Sequence, residues 1–257
     1  MGRRLDNATA LYMEGIRDGN PREAVEKYTA DPYEQHSTGV RSGKDGFIEF
    51  FDGFLERNPD RQIEIVRGFE DGANVFVQAY QVLNGGEYRY VTADIFDTNE
   101  DGKMIEHWDV IQAVPDEIVG KHSMIDGPTE PTDLHLTDDN KELVRRFIEE
   151  VLRDGQIDRA SDYISTESYA QHNPTIGDGL DPLFVAAEDR DGGLVYRQIH
   201  QLVGCGDFVA ALSEMTYGGN EMAVIDIFRI ADGKIVEHWD VMEPIPTPEQ
   251  ARNSGKF

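Results

Sequence analysis

The chain has 257 residues, enough for one large domain or two of ordinary size, and 39% of them are hydrophobic, enough for packed cores. Fifty Asp and Glu against twenty-four Lys and Arg give a formal net charge of -26, which excludes nucleic acid as a partner because the phosphates would be repelled. The single cysteine, Cys205, excludes an intramolecular disulfide and a cysteine metal cluster, and no apolar run approaches the roughly 20 residues of a membrane span.

The N-terminus, Met1-Gly2-Arg3-Arg4-Leu5-Asp6, is charged but has no apolar segment behind it, so no secretory leader is read there and a cytoplasmic protein is expected. After it the chain reads as helices ending near Arg17-Asp18-Gly19, then Tyr33-Glu34-Gln35-His36, then a helix with Phe47, Phe50, Phe51 and Phe54 on one face. From residue 62 the period changes to two. Gln62 to Val66, Val75 to Tyr80, Tyr88 to Phe96 and Lys103 to Val110 read as strands, joined by the turn residues Asp71-Gly72, Asn84-Gly85-Gly86 and Asp101-Gly102.

Residues 115–137, with Pro128 and Pro131 and little periodicity, read as a linker. The same order then begins again. Leu143, Val144, Phe147, Ile148, Val151 and Leu152 form a helix stripe ending near Gly155, and Leu180, Leu183, Phe184 and Ala187 stand for the Phe-rich helix. The repeat is visible residue by residue. Arg17-Asp18-Gly19 matches Arg153-Asp154-Gly155, and Tyr33-Glu34-Gln35-His36 matches Tyr169-Ala170-Gln171-His172, both 136 positions apart. Asp94-Ile95-Phe96 and Glu106-His107-Trp108-Asp109-Val110 return as Asp226-Ile227-Phe228 and Glu237-His238-Trp239-Asp240-Val241. The chain is therefore expected to hold two copies of one domain, 1–114 and 138–247, with a linker at 115–137 and a tail at 248–257. Helices followed by consecutive hairpins predict an α+β fold, with helices covering one face of a curved antiparallel sheet.

Strand alternation puts His238 and Asp240 on one face and Glu237, Trp239 and Val241 on the other. Asp226, alternating with Val224 and Phe228, joins His238 and Asp240 if that face is the concave one. Asp94, His107 and Asp109 are their counterparts in the first copy. An imidazole and two carboxylates in an apolar concavity can raise a carboxyl pKa towards that of a useful general base. Equally, such residues can simply satisfy one another, and Gln171-His172-Asn173-Pro174 can be a loop lock. A metal site built from His172, His200 and His238 is not expected, because no local ligand pair exists. Cys205, in Leu202-Val203-Gly204-Cys205, reads as a small core residue.

Tyr169-x-Gln171-His172-Asn173-Pro174 after two helices, followed by Asp226-Ile227-Phe228-Arg229-x-x-Asp232-Gly233-Lys234-Ile235-Val236-Glu237-His238-Trp239-Asp240-Val241, resembles the SnoaL-like polyketide cyclases of the nuclear transport factor 2-like superfamily. The first copy departs from the pattern: Ser37-Thr38 replaces Asn-Pro, and one turn is a residue longer. The resemblance implies two tandem cone-shaped domains, a small-molecule ligand, and no metal or organic cofactor. It also implies that Asp240, or Asp109 in the first copy, is the acid/base that moves a proton next to a carbonyl in aldol cyclisation or isomerisation. Tyr33, His36, Tyr169, His172 and His200, the last aligning with Val66, are the substrate-binding candidates beside it. The superfamily also hosts dehydratases, epoxide hydrolases and pure binders, so a non-catalytic module for a hydrophobic metabolite is the alternative.

Two expectations concern the whole molecule. The apolar outer face of each sheet, with Trp108 and Val110 or Trp239 and Val241, prefers burial, which predicts an intramolecular pseudo-dimer and a monomeric chain. The acidic residues are spread through both halves, as in a protein adapted to high salt or in an ordinary acidic one.

Overall fold

The computed structural model describes residues 2–188 and 193–257. The first domain opens with α1 (Arg3–Ala10), which continues as a π-helical stretch, Leu11–Arg17, and is followed by α2 (Pro21–Tyr28), β1 (Thr29–Gln35) and α3 (Lys44–Arg57). Four long strands complete it: β2 (Arg61–Asp71), β3 (Asn74–Leu83), β4 (Tyr88–Thr98) and β5 (Met104–Ala113). The second domain repeats this plan with α4 (Thr137–Arg146) and its π-helical stretch Phe147–Arg153, α5 (Ala160–Tyr163), β6 (Ala170–Gln171), α6 (Leu180–Glu188), β7 (Val195–Cys205), β8 (Phe208–Tyr217), β9 (Asn220–Ala231) and β10 (Lys234–Pro244). Both domains are α+β, helices on a five-stranded sheet.

The sheets are mixed rather than wholly antiparallel. Strand order is β1-β5-β4-β3-β2 in one and β6-β10-β9-β8-β7 in the other. Four strands in each follow as antiparallel hairpins, and the fifth, carrying the Tyr-x-Gln segment, lies parallel to the last strand. A parallel neighbour needs a long connection, and α3 with β2 to β4 supplies it in the first domain.

The helices bury one stripe because their apolar residues recur at three and four positions. Leu5, Ala8, Leu11, Tyr12 and Ile16 of the first domain pack over Val75, Val77 and Ala79 of β3. In the second domain Val144, Phe147, Ile148 and Val151 cover Val209, Ala211 and Phe228. The π-helical stretch recurs at the same place in both copies, a rare geometry that belongs to the domain plan. Between β3 and β4 the chain turns through Asn84, Gly85 and Gly86, all left-handed, a conformation that asparagine and glycine adopt at least cost. Bulges at Ile65/Arg67 in β2, and at Tyr196/Gln198 and Ile199/Gln201 in β7, bend the sheets over their helices.

Packing divides the chain into Met1–Ala113 together with Pro246–Phe257, and Val114–Ile245. The inter-repeat segment thus belongs to the second unit and the C-terminal segment to the first. In the second unit the backbone N–H of Val119 donates to the carbonyl of Pro174, and the Trp239 indole donates to the carbonyl of Asp126 at 2.9 Å. Gly127 fits here because of its φ of 92° and because a Cβ would lie 2.8 Å from the Trp239 ring. Cys205 ends β7 half-exposed rather than in the core, since it precedes the turn at Gly206.

Candidate active site

Register brings the repeated aspartates together. Asp94 of β4 stands directly opposite Asp109 of β5, and Phe96 opposite His107, so all four share the face under the helices. Asp226, Asp240, Phe228 and His238 repeat the arrangement on β9 and β10. All six ionisable groups are buried. On β10 the strict alternation breaks at a bulge between Ile235 and Glu237, which lets Ile235 join the core beneath the helices.

In the first domain Asp94 accepts hydrogen bonds from the Tyr12 hydroxyl at 2.8 Å, the Thr92 hydroxyl at 3.0 Å and His107 Nε2 at 2.9 Å. Its carboxyl is pushed up by burial, against the opposing pull of His107, and further up by the charge of Asp109. His107 Nδ1 meets Gln35 Oε1 at 2.9 Å, so both ring nitrogens are engaged. Asp109 accepts from the Ser37 hydroxyl at 2.6 Å and from the Lys256 ammonium at 3.1 Å. Burial raises this carboxyl, but Lys256, His107 and Ser37 outweigh it and hold it below the usual range. Tyr33 is buried, and its hydroxyl faces the side chain of Gln35. Burial, then the charges of Asp94 and Asp109, keep that hydroxyl protonated.

The second domain answers the same problem differently. Asn173 Nδ2 donates to Asp240 Oδ2 at 2.6 Å, taking the place of Ser37, and the tyrosine on the second aspartate is Tyr196 from β7, at 2.7 Å from Asp226. Gln171 is oriented by the backbone N–H of Asn173, which donates to its Oε1 at 2.9 Å. That oxygen also lies 3.0 Å from His238 Nδ1, while Nε2 lies 2.9 Å from Asp226, so both ring nitrogens are engaged. Burial pulls the pKa of His238 down, but the hydrogen bond to Asp226 and the charges of Asp240 and Asp226 raise it above its ordinary value. Burial, partly opposed by His238 and Asn173, pushes Asp240 up to about 6.

The two domains differ most in the space above these groups. The first holds a cavity of about 540 Å³, within the range of small-molecule sites, with Phe47, Phe50, Phe51 and Phe54 of α3 on one side and Asp94, His107 and Asp109 on the other. The corresponding space in the second is about 10 Å³, roughly one water. Phe147 stands 136 positions after Leu11 and Leu152 after Ile16, and Tyr196 reaches in from β7; these side chains close around His238 and Asp240.

Tyr33 and Tyr169 line their domains' cavities, as do His107 and His238, Asp109 and Asp240. His36 and His172 do not. Alternation along β1 and β6 turns Tyr33 and Gln35 inward and His36 outward, where it stacks on Trp108 at 4.9 Å and meets Glu106 at 2.9 Å. His172 likewise stacks on Trp239 at 4.5 Å and meets Glu237 at 3.0 Å. His200 sits on β7 beside Glu214, 3.9 Å away, and is absent from the cavity lining; burial lowers its pKa, against the pull of Glu214. Strand alternation accounts for His36 and His172, whereas His200 lies in the β7 bulge between Ile199 and Gln201. Gln35, Ser37, Tyr12, Thr92 and Lys256 join the first site, and Gln171, Asn173 and Tyr196 the second. Gln35 and Gln171 were legible, since they repeat and share the face of the tyrosines. Tyr12 and Lys256 left no local sign. Asp94, His107 and Asp109, and their counterparts, have ligand-type atoms within 4.8 Å of one another, but in the first domain the Lys256 ammonium already supplies a cation to Asp109.

A family model described as a SnoaL-like domain matches the chain twice, at residues 9–107 and 144–238. Solved structures similar to one domain include a candidate ketosteroid isomerase from Kribbella flavida, at 14% identity and a TM-score of 0.38, covering 44% of this chain and 84% of that one. TsrD from Streptomyces laurentii has 23% identity and a TM-score of 0.33, covering 40% and 89% of the two chains. A LEH-like epoxide hydrolase from M. tuberculosis has 17% identity and a TM-score of 0.35, covering 42% and 84%. No protein of curated function matches the sequence. Among the described residues, no helix is long and apolar enough to cross a membrane.

Proposed function

The chain belongs to the SnoaL-like family, twice over, and from that premise we propose that its first domain transforms an apolar carbonyl compound by proton transfer. The observation that carries this is Asp109, a charged carboxylate lining a cavity of about 540 Å³ together with the buried hydroxyl of Tyr33. In this reading Asp109 takes a proton from the carbon beside the carbonyl, and Tyr33 donates a hydrogen bond to the oxygen on which charge develops. Each Asp109 oxygen keeps a lone pair beyond those used by Ser37 and Lys256. A carboxylate held below the usual range is a weak base, so the fitting substrate has its proton already acidified by two flanking carbonyls, as in a polyketide chain. His107, with both nitrogens engaged, orients Asp94 and Gln35 and does not touch substrate. The second domain has the same groups and no room for a ligand, and we read it as non-catalytic.

Turnover of a panel of 1,3-dicarbonyl and polyketide-like compounds, followed as exchange of the acidic proton for deuterium, tests this. Asp109→Asn is expected to lose on the order of 100-fold or more and Tyr33→Phe a comparable amount, while Asp240→Asn keeps the wild-type rate. Equal turnover by wild type and Asp109→Asn removes proton transfer from the cavity. A binding module is the second reading. It is favoured by the internal satisfaction of Asp94 and His107, and it predicts that ligands bind the cavity without exchange.

We also infer an intramolecular pseudo-dimer, because the segment after each repeat packs in the other repeat's unit. The full chain is then expected to sediment as a monomer of 28.9 kDa.

A further inference from the structure

Lys256 lies 147 residues from Asp109 in sequence, yet its side chain is only 1% exposed and its ammonium is 3.1 Å from Asp109 Oδ1 and 3.4 Å from Thr38 Oγ1. Its neighbours pin it there. Asn253 Nδ2 donates to the carbonyls of Ser37 at 2.8 Å and Val40 at 2.9 Å, the Ser254 hydroxyl donates to Glu34 at 2.9 Å, and His36 Nδ1 donates to the carbonyl of Gly255 at 2.7 Å. An ammonium is rarely buried to this degree without a charged partner, because its desolvation must be offset.

The second domain provides the comparison. There His172 Nδ1 meets the carbonyl of Ser123 at 2.7 Å, as His36 meets that of Gly255. The residue after Ser123 is Met124, buried, where the residue after Gly255 is Lys256. The same backbone dock is thus followed by a buried neutral thioether in one domain and by a buried cation in the other.

We propose that Lys256, from the segment that follows the second domain, is a positioning residue that completes the first domain's site by holding Asp109 as an oriented carboxylate at the cavity wall. Around Asp109 stand His107 on its own strand, Asp94 on β4, Tyr12 on the π-helical stretch, Tyr33 on β1 and Lys256 on the C-terminal segment. Two of these, His107 and Lys256, can bring positive charge. The aspartate without a lysine, Asp240, keeps its histidine and still sits at about 6, so the ammonium is a charged group that Asp109 has and Asp240 lacks.

The inference rests on the proton-transfer reading for its consequence, but it is tested apart from turnover. Carboxyl-carbon NMR of the full chain, assigned with Asp109→Asn, follows the titration of Asp109 in wild type, Lys256→Met and Lys256→Arg. Lys256→Met installs the residue that the second domain already carries. Its expected effect is a rise of the Asp109 midpoint by about one pH unit or more, towards that of Asp240, with Lys256→Arg keeping the low midpoint. An identical Asp109 midpoint in folded wild type and Lys256→Met overturns the proposal. Should Lys256→Met fail to fold, the reciprocal measurement reads the same pair. Asp109→Asn must lower the Lys256 ammonium midpoint seen by nitrogen NMR, and an unmoved midpoint equally overturns the proposal. Loss or retention of turnover in Asp109→Asn bears on catalysis alone.

Discussion

Asp109 and Asp240 occupy the same place in two copies of one domain and carry opposite proton affinities, which shows how little residue identity says about charge state. Both are buried; the Asn173 amide on Asp240 stands where the Ser37 hydroxyl stands on Asp109, and Asp109 receives an ammonium as well. The consequence for stability is specific. Asp240 is raised from 3.8 to about 6, so between those values the folded protein holds a proton that the unfolded chain has released. Stability therefore falls as pH rises through that window, by on the order of 3 kcal/mol from this group. His238, also raised, stabilises the fold fully below its unfolded pKa and loses that contribution as pH rises through its folded one. Urea melts from pH 4 to pH 7 are expected to show the Asp240 slope in wild type and a flatter profile in Asp240→Asn. Asp109 has the opposite sign, stabilising above the unfolded value and losing that contribution as acid protonates it.

At the scale of elements, the side chains at matching helix positions help set how much of the cavity remains open. Leu11 and Phe147 stand at the same point of the two π-helical stretches, and both face the sheet. Leu11→Phe in the first domain is expected to fill space that is already present, so that binding of an apolar fluorescent dye weakens by about tenfold or more while the melting temperature moves by only a few degrees. Dye binding at wild-type strength means that Leu11 is not what keeps the cavity open. Gly127 is the matching test for the inter-repeat segment. Gly127→Ala forces a side chain against Trp239 and Glu237 in a left-handed conformation, and a loss of about 1–3 kcal/mol is expected in denaturant melts.

At the scale of the whole molecule, charge sets the conditions. A net charge of -26 on 257 residues repels itself, and counterions screen that repulsion. If the acidic surface is an adaptation to high salt, the melting temperature is expected to climb steadily from dilute buffer to molar potassium chloride. A midpoint indifferent to salt supports the ordinary acidic reading. The exchange of segments between the units adds a second condition, since a chain cut after residue 114 gives a first domain without Lys256.

Duplication, the α+β class and the facing of His-x-Asp were decided by local information: identical strings, hydrophobic period and strand alternation are properties of neighbouring residues, and both copies state them. Alternation also held the answer for His36 and His172, since Tyr33 and Gln35 cannot share a face with His36. The parallel β1 and β6 were beyond it, because their partner strands come roughly seventy residues later. So was the difference between the two cavities. The better-preserved motif lies in the second copy, but the open space lies in the first, because volume is set by which side chains meet across helix and sheet. The charge of Asp109 was least legible of all. It depends in part on an ammonium 147 residues away that is brought to 3.1 Å only by folding, and no pattern of neighbouring residues encodes such a contact.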